Sequence, residues 1–156
     1  MKQKIFSILF FGILLSVGLG VSVHGMKAVR YGKTSMRWPK KIGQIKVAEM
    51  KVDSDRDSVT YRAEVRYDFL FGGRVYSSNK VSFGQYSSSN PKHARKILYN
   101  YPLGAYIEVY YDPMNPNISV LEPGVPLSGY MMLIIGGIFA VAGLFGVSGV
   151  LSRAEY

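Results

Sequence analysis

Two long apolar runs constrain this chain more than any other feature of its sequence. Residues 5–23 and residues 127–151 contain no charged side chain. Helices of these lengths would reach roughly 28 and 37 Å at about 1.5 Å per residue, and the hydrocarbon core of a bilayer is about 30 Å thick. The sequence therefore predicts two transmembrane helices, within residues 1–26 and 125–156, the second followed by a short tail.

The first apolar run has a second interpretation, as a cleaved signal peptide. Lys2 and Lys4 give it the basic start that such peptides have. Its apolar part is longer than the usual 7–15 residues, however, and Val23-His24-Gly25 is a poor cleavage site. The preferred interpretation is a retained helix, with cleavage as the alternative.

The charge of the chain is strongly positive, with 19 Lys and Arg against 10 Asp and Glu and a formal net charge of +9. Residues 27–40 are predicted to be a basic juxtamembrane linker that contacts anionic lipid headgroups, at about 1 kcal/mol per basic residue. These charges favour a cytoplasmic middle segment, whereas Lys2 and Lys4 favour a cytoplasmic N-terminus. Loops beyond about 60 residues cross largely regardless of charge, so both orientations stay open. The basic residues at issue are Lys27, Arg30, Lys33, Arg37, Lys40 and Lys41.

Residue types that carry common chemistry are sparse or badly spaced. Cysteine is absent, which excludes disulfides, thiolate metal sites and cysteine nucleophiles. His24 and His93 have no third metal ligand nearby in the sequence. The many serines lack the Gly-x-Ser-x-Gly elbow, and Gly72-Gly73 lacks the Lys of a phosphate loop. We expect no enzyme activity, cofactor or metal.

One acidic cluster has the spacing of a calcium-binding loop. Asp53, Asp55 and Asp57 occupy positions 1, 3 and 5, and Glu64 falls at position 12. Ser58, however, takes the place of the glycine that the sharp turn of such a loop needs. The residues that follow alternate as a strand, so we interpret Asp53–Asp57 as a polar hairpin turn.

The middle of the chain has the period of two that is typical of strands. Apolar and polar residues alternate from Val59 to Phe69, and Gly72-Gly73 suits a two-residue hairpin turn. Ser89 or Asn90 can cap a short helix over residues 92–100, whose first position suits Pro91. The predicted strands are residues 42–50, 59–69, 74–84, 105–111 and 117–121.

The order of three strands, one helix and two strands is that of the OB-fold. We therefore predict an α+β membrane protein in which two transmembrane helices flank a five-stranded, OB-like antiparallel β barrel over residues 41–124. An SH3-like or open antiparallel sheet is the alternative. Val65, Tyr67, Val109 and Ile118 are predicted to point into the core.

Small residues recur every four positions in both apolar runs. They are Gly12, Ser16 and Gly20 in the first run, and Gly136 and Ala140 in the second. Small residues at this spacing let membrane helices approach closely. The simpler interpretation is that the two helices pack on each other as a hairpin, and the alternative is that a partner subunit docks on one of these faces.

Several blocks of the middle segment resemble the domain of unknown function 3592 family, with Tyr110-Tyr111-Asp112-Pro113 and Leu121-Glu122-Pro123-Gly124 the most specific. The resemblance implies a small membrane protein, usually of the bacterial cytoplasmic membrane, with a β domain between transmembrane segments. It implies no reaction, so its signature residues are expected to be structural. They are Trp38, Gly43, Gly73, Phe83, Tyr101, Pro102, Gly104, Tyr111, Asp112, Pro113, Asn115, Pro116, Leu121 and Glu122.

Two classes of function fit these features. The first is a non-enzymatic, two-pass accessory or scaffold subunit that presents its β domain near the bilayer to a membrane-protein partner. The second is a module that captures an extended peptide, glycan or nucleic acid on the barrel face, where aromatic rings stack and arginines meet phosphate. Glu64 and Asp68 alternate with the arginines and disfavour nucleic acid. The residues considered are Tyr76, Tyr86, Tyr106, Tyr110, Arg62, Arg66 and Arg74.

Overall fold

A computed structural model describes residues 2–152, which form two compact units. One unit contains the chain up to Arg30 and from Pro126 onward, and the other runs from Tyr31 to Val125. The predicted tail beyond residue 152 lies outside the described residues. The elements in chain order are α1 (Lys2–Ser35), β1 (Lys40–Asp55), β2 (Ser58–Phe71), β3 (Arg74–Ser78), α2 (Pro91–Asn100), β4 (Tyr106–Asp112), β5 (Asn115–Val120) and α3 (Leu127–Ser152).

Two of the described helices are long and apolar enough to cross a membrane, by length and composition: α1 over Ile5–Ser35 and α3 over Leu127–Val150. Helix α1 continues through most of residues 27–40, so the predicted linker is largely helical. It ends in a turn in which the Arg37 and Trp38 amides donate to the Thr34 and Ser35 carbonyl oxygens at 3.0 and 3.1 Å. Pro39, which has no amide hydrogen, follows this turn.

Helices α1 and α3 pack against each other through glycines. A Cβ atom on Gly18 would lie 2.4 Å from the Ala140 nitrogen, and one on Gly143 would lie 2.6 Å from the Leu15 nitrogen. The backbones are therefore too close for a side chain at these positions. The face of α1 that meets α3 repeats at spacings of four and three: Phe11, Leu15, Gly18, Ser22 and Gly25.

The structure places the predicted α3 residues at the contact between the two helices and the predicted α1 residues away from it. Gly136 and Ala140 lie at the contact, where a Cβ atom on Gly136 would be 2.6 Å from the Ser22 nitrogen. A Cβ atom on Gly12 or Gly20 would meet nothing within 4 Å. Ser16 is exposed, and its hydroxyl donates to the Gly12 carbonyl oxygen at 2.8 Å. The four-residue spacing marked a smooth face, but the helices use the neighbouring one.

The β unit is a five-stranded antiparallel sheet in the order β3-β2-β1-β4-β5. The first half of β1 pairs with β4, and β1 pairs with β2 from Gly43 to Asp55, with a bulge between Ile45 and Val47. No ladder joins the edge strands β3 and β5 in the described part of the chain, so the sheet is open. The predicted closed barrel is not confirmed, and the open antiparallel alternative describes the sheet.

Several predicted strand boundaries are wrong by two residues or more. Strand β3 ends at Ser78, and residues 79–84 are irregular although the alternation suggested a strand. Strand β5 begins at Asn115 and includes Pro116, which an edge strand tolerates because its missing amide hydrogen need not pair. The turn between β1 and β2 is only Arg56-Asp57, so Asp53 lies on a strand.

The core lies on the inner face of the sheet. The predicted core residues Val65, Tyr67 and Val109 are fully buried. Ile118 is only half-buried, because the register of β4 and β5 shifts between Tyr111 and Asp112. The main cluster consists of Ile45, Val65, Tyr67, Phe69, Val81, Val109, Tyr111 and Leu121.

The glycine contact between α1 and α3 gives a matched pair of variants. Gly18→Val places a branched side chain against the Ala140 backbone and should separate the helices, whereas Gly20→Val points into open space. Both exchange the same residue types within the same helix, so the intrinsic change in helix propensity is the same and the difference between them reports packing. The melting temperature in detergent, measured from the loss of helical circular dichroism, should fall by several degrees more for Gly18→Val than for Gly20→Val. Equal melting of the two variants would contradict this packing.

Candidate functional site

Four large apolar side chains lie on the solvent face of four adjacent strands. They are Ile42 on β1, Leu70 on β2, Val75 on β3 and Tyr106 on β4, which we call the outer stripe. Their exposed fractions are 63%, 60%, 67% and 75%. Leu70 pairs directly with Val75, and Gln44 pairs with Tyr106. Contiguous exposed apolar surface of this kind marks an interaction site more often than scattered apolar residues do.

An open groove of about 300 Å³ follows the outer stripe. Gly43 is part of its lining, together with Gln44, Lys46 and Asp68. A Cβ atom on Gly43 would lie 2.7 Å from both the Asp68 carbonyl oxygen and a methyl carbon of Val109. This signature glycine therefore lets β1 pass closely between its two neighbours.

The charged groups beside the outer stripe are balanced. The Lys40 ammonium lies 2.6 Å from the Glu108 carboxylate, a bond that raises the pKa of Lys40 and lowers that of Glu108. Asp68 accepts a hydrogen bond from the Ser77 hydroxyl at 2.6 Å, and Lys46 donates to the Gln44 side chain at 2.6 Å. The stripe therefore offers apolar contact area without a field of either sign.

The other half of the outer face is a ladder of ion pairs. Glu49 pairs directly with Glu64 across β1 and β2, a repulsive arrangement by itself. Lys51 lies 2.7 Å from Glu49 and 3.9 Å from Glu64, and the Glu49 contact raises the pKa of Lys51. Arg66, one of the residues considered for phosphate contact, lies 3.4 Å from Glu64. This half of the face is neutralised internally.

The structure does not gather the predicted stacking residues into one platform. Tyr76 stacks on Phe69 on the inner side of the sheet, with 5.7 Å between ring centroids. Tyr86 stacks instead on His93, at 4.8 Å. Only Tyr106 and Tyr110 share the solvent side of β4. Because the alternation of β3 places Val75 outward, Arg74 lies on the opposite side from the outer stripe.

The acidic residues of the β1–β2 hairpin and the histidines do not form a metal site in the described part of the chain. Within residues 2–152, no three His, Asp or Glu side chains come together in a group that can hold a metal ion. The Asp55 carboxylate, at the last residue of β1, accepts a hydrogen bond from the Arg56 amide at 2.8 Å.

The signature aromatic residues Trp38 and Phe83 meet at the end of α1. Phe83 is buried, with the Trp38 ring edge-on at 5.9 Å and the Tyr31 ring stacked at 5.7 Å between centroids. Tyr31 belongs to the last turns of α1, which lie in the β unit. Sequence reasoning missed Tyr31, because it lies in the segment predicted to be a linker.

A buried hydroxyl near the end of α1 was also missed. Ser35 is fully buried; its hydroxyl donates to the Gly32 carbonyl oxygen at 2.8 Å and accepts from the Gly124 amide at 3.0 Å. A Cβ atom on Gly32 would lie 2.6 Å from the Gly124 carbonyl oxygen. The end of α1 is thus bonded to the segment that leads to α3. The glycine at position 32, in an otherwise ordinary helix sequence, was the only sequence signal.

Two further signature pairs fasten the last strands to the core. The Tyr101 hydroxyl donates to the Glu122 carboxylate at 3.0 Å, and the Glu122 amide donates to the Val81 carbonyl oxygen at 2.8 Å. Leu121 is buried beside them. Tyr111 is buried and packs on Phe71, with centroids 4.8 Å apart.

The remaining signature residues shape turns. Gly73 and Gly104 have φ values of +76° and +81°, which favour glycine, and the Pro102 carbonyl oxygen accepts from the Ala105 amide at 3.2 Å. The Asp112 carboxylate accepts from the Met114 amide at 2.9 Å, which closes the turn that contains Pro113. Asn115 pairs with Asp112 across that turn.

Comparison with known proteins identifies one family. The family model described as Domain of unknown function (DUF3592) matches residues 41–126, more than half of the chain. A search of curated proteins found no match.

The Ser35 hydroxyl gives a direct test of the bond between the end of α1 and Gly124. Ser35→Ala leaves the Gly124 amide without its partner and should destabilise the β unit by about 1–3 kcal/mol. Thr34→Ala is the control, because the Thr34 side chain is exposed and its hydroxyl donates to the Tyr31 carbonyl oxygen one turn earlier in the same helix. Denaturant unfolding followed by the fluorescence of Trp38, the single tryptophan, measures both. Equal stability of the two variants would show that this hydrogen bond does not contribute to the stability of the β unit.

Tyr101 gives a prediction for alkaline pH. Burial, and then the Glu122 carboxylate, raise the pKa of Tyr101 well above its ordinary value. A group whose folded pKa is raised contributes stability that is complete below its unfolded pKa, near 10, and is lost as pH rises further. The free energy of unfolding should therefore fall above about pH 10.

Tyr101→Phe should flatten part of that fall. Tyr99→Phe is the matched control, because Tyr99 is 86% exposed. Tyr67, whose pKa is also raised by burial, keeps some pH dependence in both variants. The same alkaline slope in the wild-type chain and Tyr101→Phe would refute the role given to Tyr101.

Proposed function

Because this chain belongs to the DUF3592 family, whose name assigns no reaction, we propose that it is a non-enzymatic accessory or scaffold subunit of a membrane-protein complex. It crosses the bilayer twice and presents its β unit to a membrane-protein partner. The observation that carries this proposal is the outer stripe: four exposed apolar side chains on adjacent strands, with balanced charges beside them.

The two-pass arrangement is supported by α1 and α3. Their apolar parts, Ile5–Ser35 and Leu127–Val150, exceed the roughly 20 residues that a membrane-spanning helix needs. The last turns of α1 belong to the β unit, and only Pro126 lies between that unit and the first residue of α3. Such short connections keep the β unit close to the bilayer, and the family resemblance favours a bacterial cytoplasmic membrane.

A protein partner fits the outer stripe better than a polyanion does. Apolar area at the centre with paired charges at the rim is the usual composition of a protein interface. A nucleic acid would need an unbalanced positive groove, and Arg66 and Lys51 are paired with Glu64. The partner surface would be apolar and nearly uncharged.

Capture of an extended peptide or glycan is the second candidate. The element order is that of an OB-like barrel, and Tyr106 is the most exposed member of the stripe. An exposed ring in an open groove can stack on a sugar or pack on a peptide. In this case the ligand would bind the isolated chain, without a protein subunit.

Anionic headgroups are a further proposed contact of the juxtamembrane basic residues. Three of these residues, Lys27, Arg30 and Lys33, lie on helix α1 rather than on a linker. Lys40 is paired with Glu108 and contributes less to an anionic surface than its position in the sequence suggested.

The outer stripe can be tested with the double variant Leu70→Ser, Val75→Ser. Both side chains are exposed, so stability should change by only about 0.5 kcal/mol per site. Retention of a membrane-protein partner during purification in mild detergent should fall at least about tenfold, as for truncation of a hot spot. Met114→Ser, at a residue 91% exposed on the β4–β5 turn, is the control.

Quantitative mass spectrometry of the co-purified proteins gives the result. If both variants keep every partner of the wild-type chain, the outer stripe is not the interface. If the wild-type chain instead binds free peptides or oligosaccharides and the double variant does not, the second candidate replaces the first.

A further inference from the structure

Helix α2 is fixed to the β unit by one face only. It begins with Asn90 as its cap, whose side-chain oxygen accepts from the Lys92 amide at 2.9 Å, and with Pro91 in the first turn. Ala94 is buried, and Ile97 and Leu98 pack against the main core. This anchoring holds the opposite face in a defined direction.

The opposite face of α2 carries Lys92, Arg95, Lys96 and Tyr99, which we call the α2 basic face. These residues follow the spacing i, i+3, i+4, i+7 and therefore share one side of the helix. All four are exposed, Tyr99 to 86%. Three cations and an aromatic ring thus point away from the core on two turns of helix.

No acidic side chain is close in sequence to the α2 basic face. The segment between Asp68 and Glu108 contains no Asp or Glu at all. Among the described residues, none of the ion pairs involves Lys92, Arg95 or Lys96. This separates them from Lys40, Lys51 and Arg66, whose charges are compensated within the sheet.

We propose that the α2 basic face binds the anionic phosphate headgroups of the bilayer that anchors the chain. The proposal rests on the proposed two-pass arrangement and adds a lipid-binding site in the β unit. Lys and Arg bind anionic headgroups, and tyrosine is enriched at the membrane–water interface. The site is distinct from the outer stripe, which lies on the sheet.

The size of the cluster favours a bilayer over a free polyanion. Each basic residue near an anionic surface strengthens binding by about fivefold, so three give roughly a hundredfold. That is weak for a partner free in solution. It is sufficient for a unit that short connections already hold near the membrane, since tethering supplies an effective concentration in the millimolar range.

A fluorescent label at one position can report contact with the bilayer. The chain has no cysteine, so Asn100→Cys, at an exposed position next to Tyr99, gives a single labelling site. The full chain is placed in sealed vesicles of phosphatidylcholine alone, or with about one-third phosphatidylglycerol. Both contain a lipid with a spin-labelled headgroup, which quenches a nearby fluorophore.

Quenching should be severalfold stronger in the vesicles that contain phosphatidylglycerol, and high salt should reverse it. The variant Lys92→Gln, Arg95→Gln, Lys96→Gln should lose the difference. The control Arg56→Gln, Arg62→Gln, Arg74→Gln removes three exposed charges elsewhere in the β unit and should keep it.

Equal quenching in both vesicle types, or equal loss in both triple variants, would overturn the proposal. The same holds if a soluble oligonucleotide, but not phosphatidylglycerol, shifts the fluorescence. Washing the vesicles with alkaline carbonate distinguishes failure of the proposed membrane anchoring from failure of the proposed headgroup binding alone. Release of the chain would refute the membrane anchoring and this proposal with it, whereas retention with equal quenching would refute this proposal alone.

Discussion

The hydrogen bonds of the Ser35 hydroxyl are the constraint on which the β unit depends. This buried group joins the Gly32 carbonyl oxygen, in the last turn of α1, to the amide of Gly124, which lies 89 positions after Ser35. Phe83 packs on the rings of Tyr31 and Trp38, which precede and follow Ser35 in the sequence. A buried polar group without a partner is costly, so the three segments are held in one arrangement. Helix α1 therefore ends as part of the β unit and not as a free anchor followed by a linker.

The outer face of this sheet has two halves with different chemistry. On one half, the charges of Glu49, Lys51, Glu64 and Arg66 pair with one another. The other half carries the outer stripe, whose apolar side chains are each at least 60% exposed. The α2 basic face is a third surface, with charges that the sheet does not compensate. The proposed protein contact and the proposed lipid contact therefore use different chemistry and can occur together.

The sequence predicted what local rules decide. The alternation from Val59 to Phe69, the Gly72-Gly73 turn and the cap at Asn90 are all confirmed, because pleat, positive φ and capping depend on neighbouring residues. The errors arise where the structure depends on contacts between segments that are distant in the sequence. A smooth stripe through Gly12 and Gly20 could not reveal that α3 packs on the face of Gly18. The register shift that exposes part of Ile118, and the partner of Ser35, depend on pairings that no short pattern encodes.

The central claim is that α1 and α3 both span a membrane, with the β unit between them. Since the chain has no cysteine, single substitutions Gln3→Cys, Met114→Cys and Ser152→Cys can each be labelled with an impermeant maleimide in sealed vesicles of one orientation. The account predicts that Gln3→Cys and Ser152→Cys are labelled from one side and Met114→Cys only from the other. Labelling of all three from the same side, or loss of the residue-3 label through cleavage of the first helix, would contradict it.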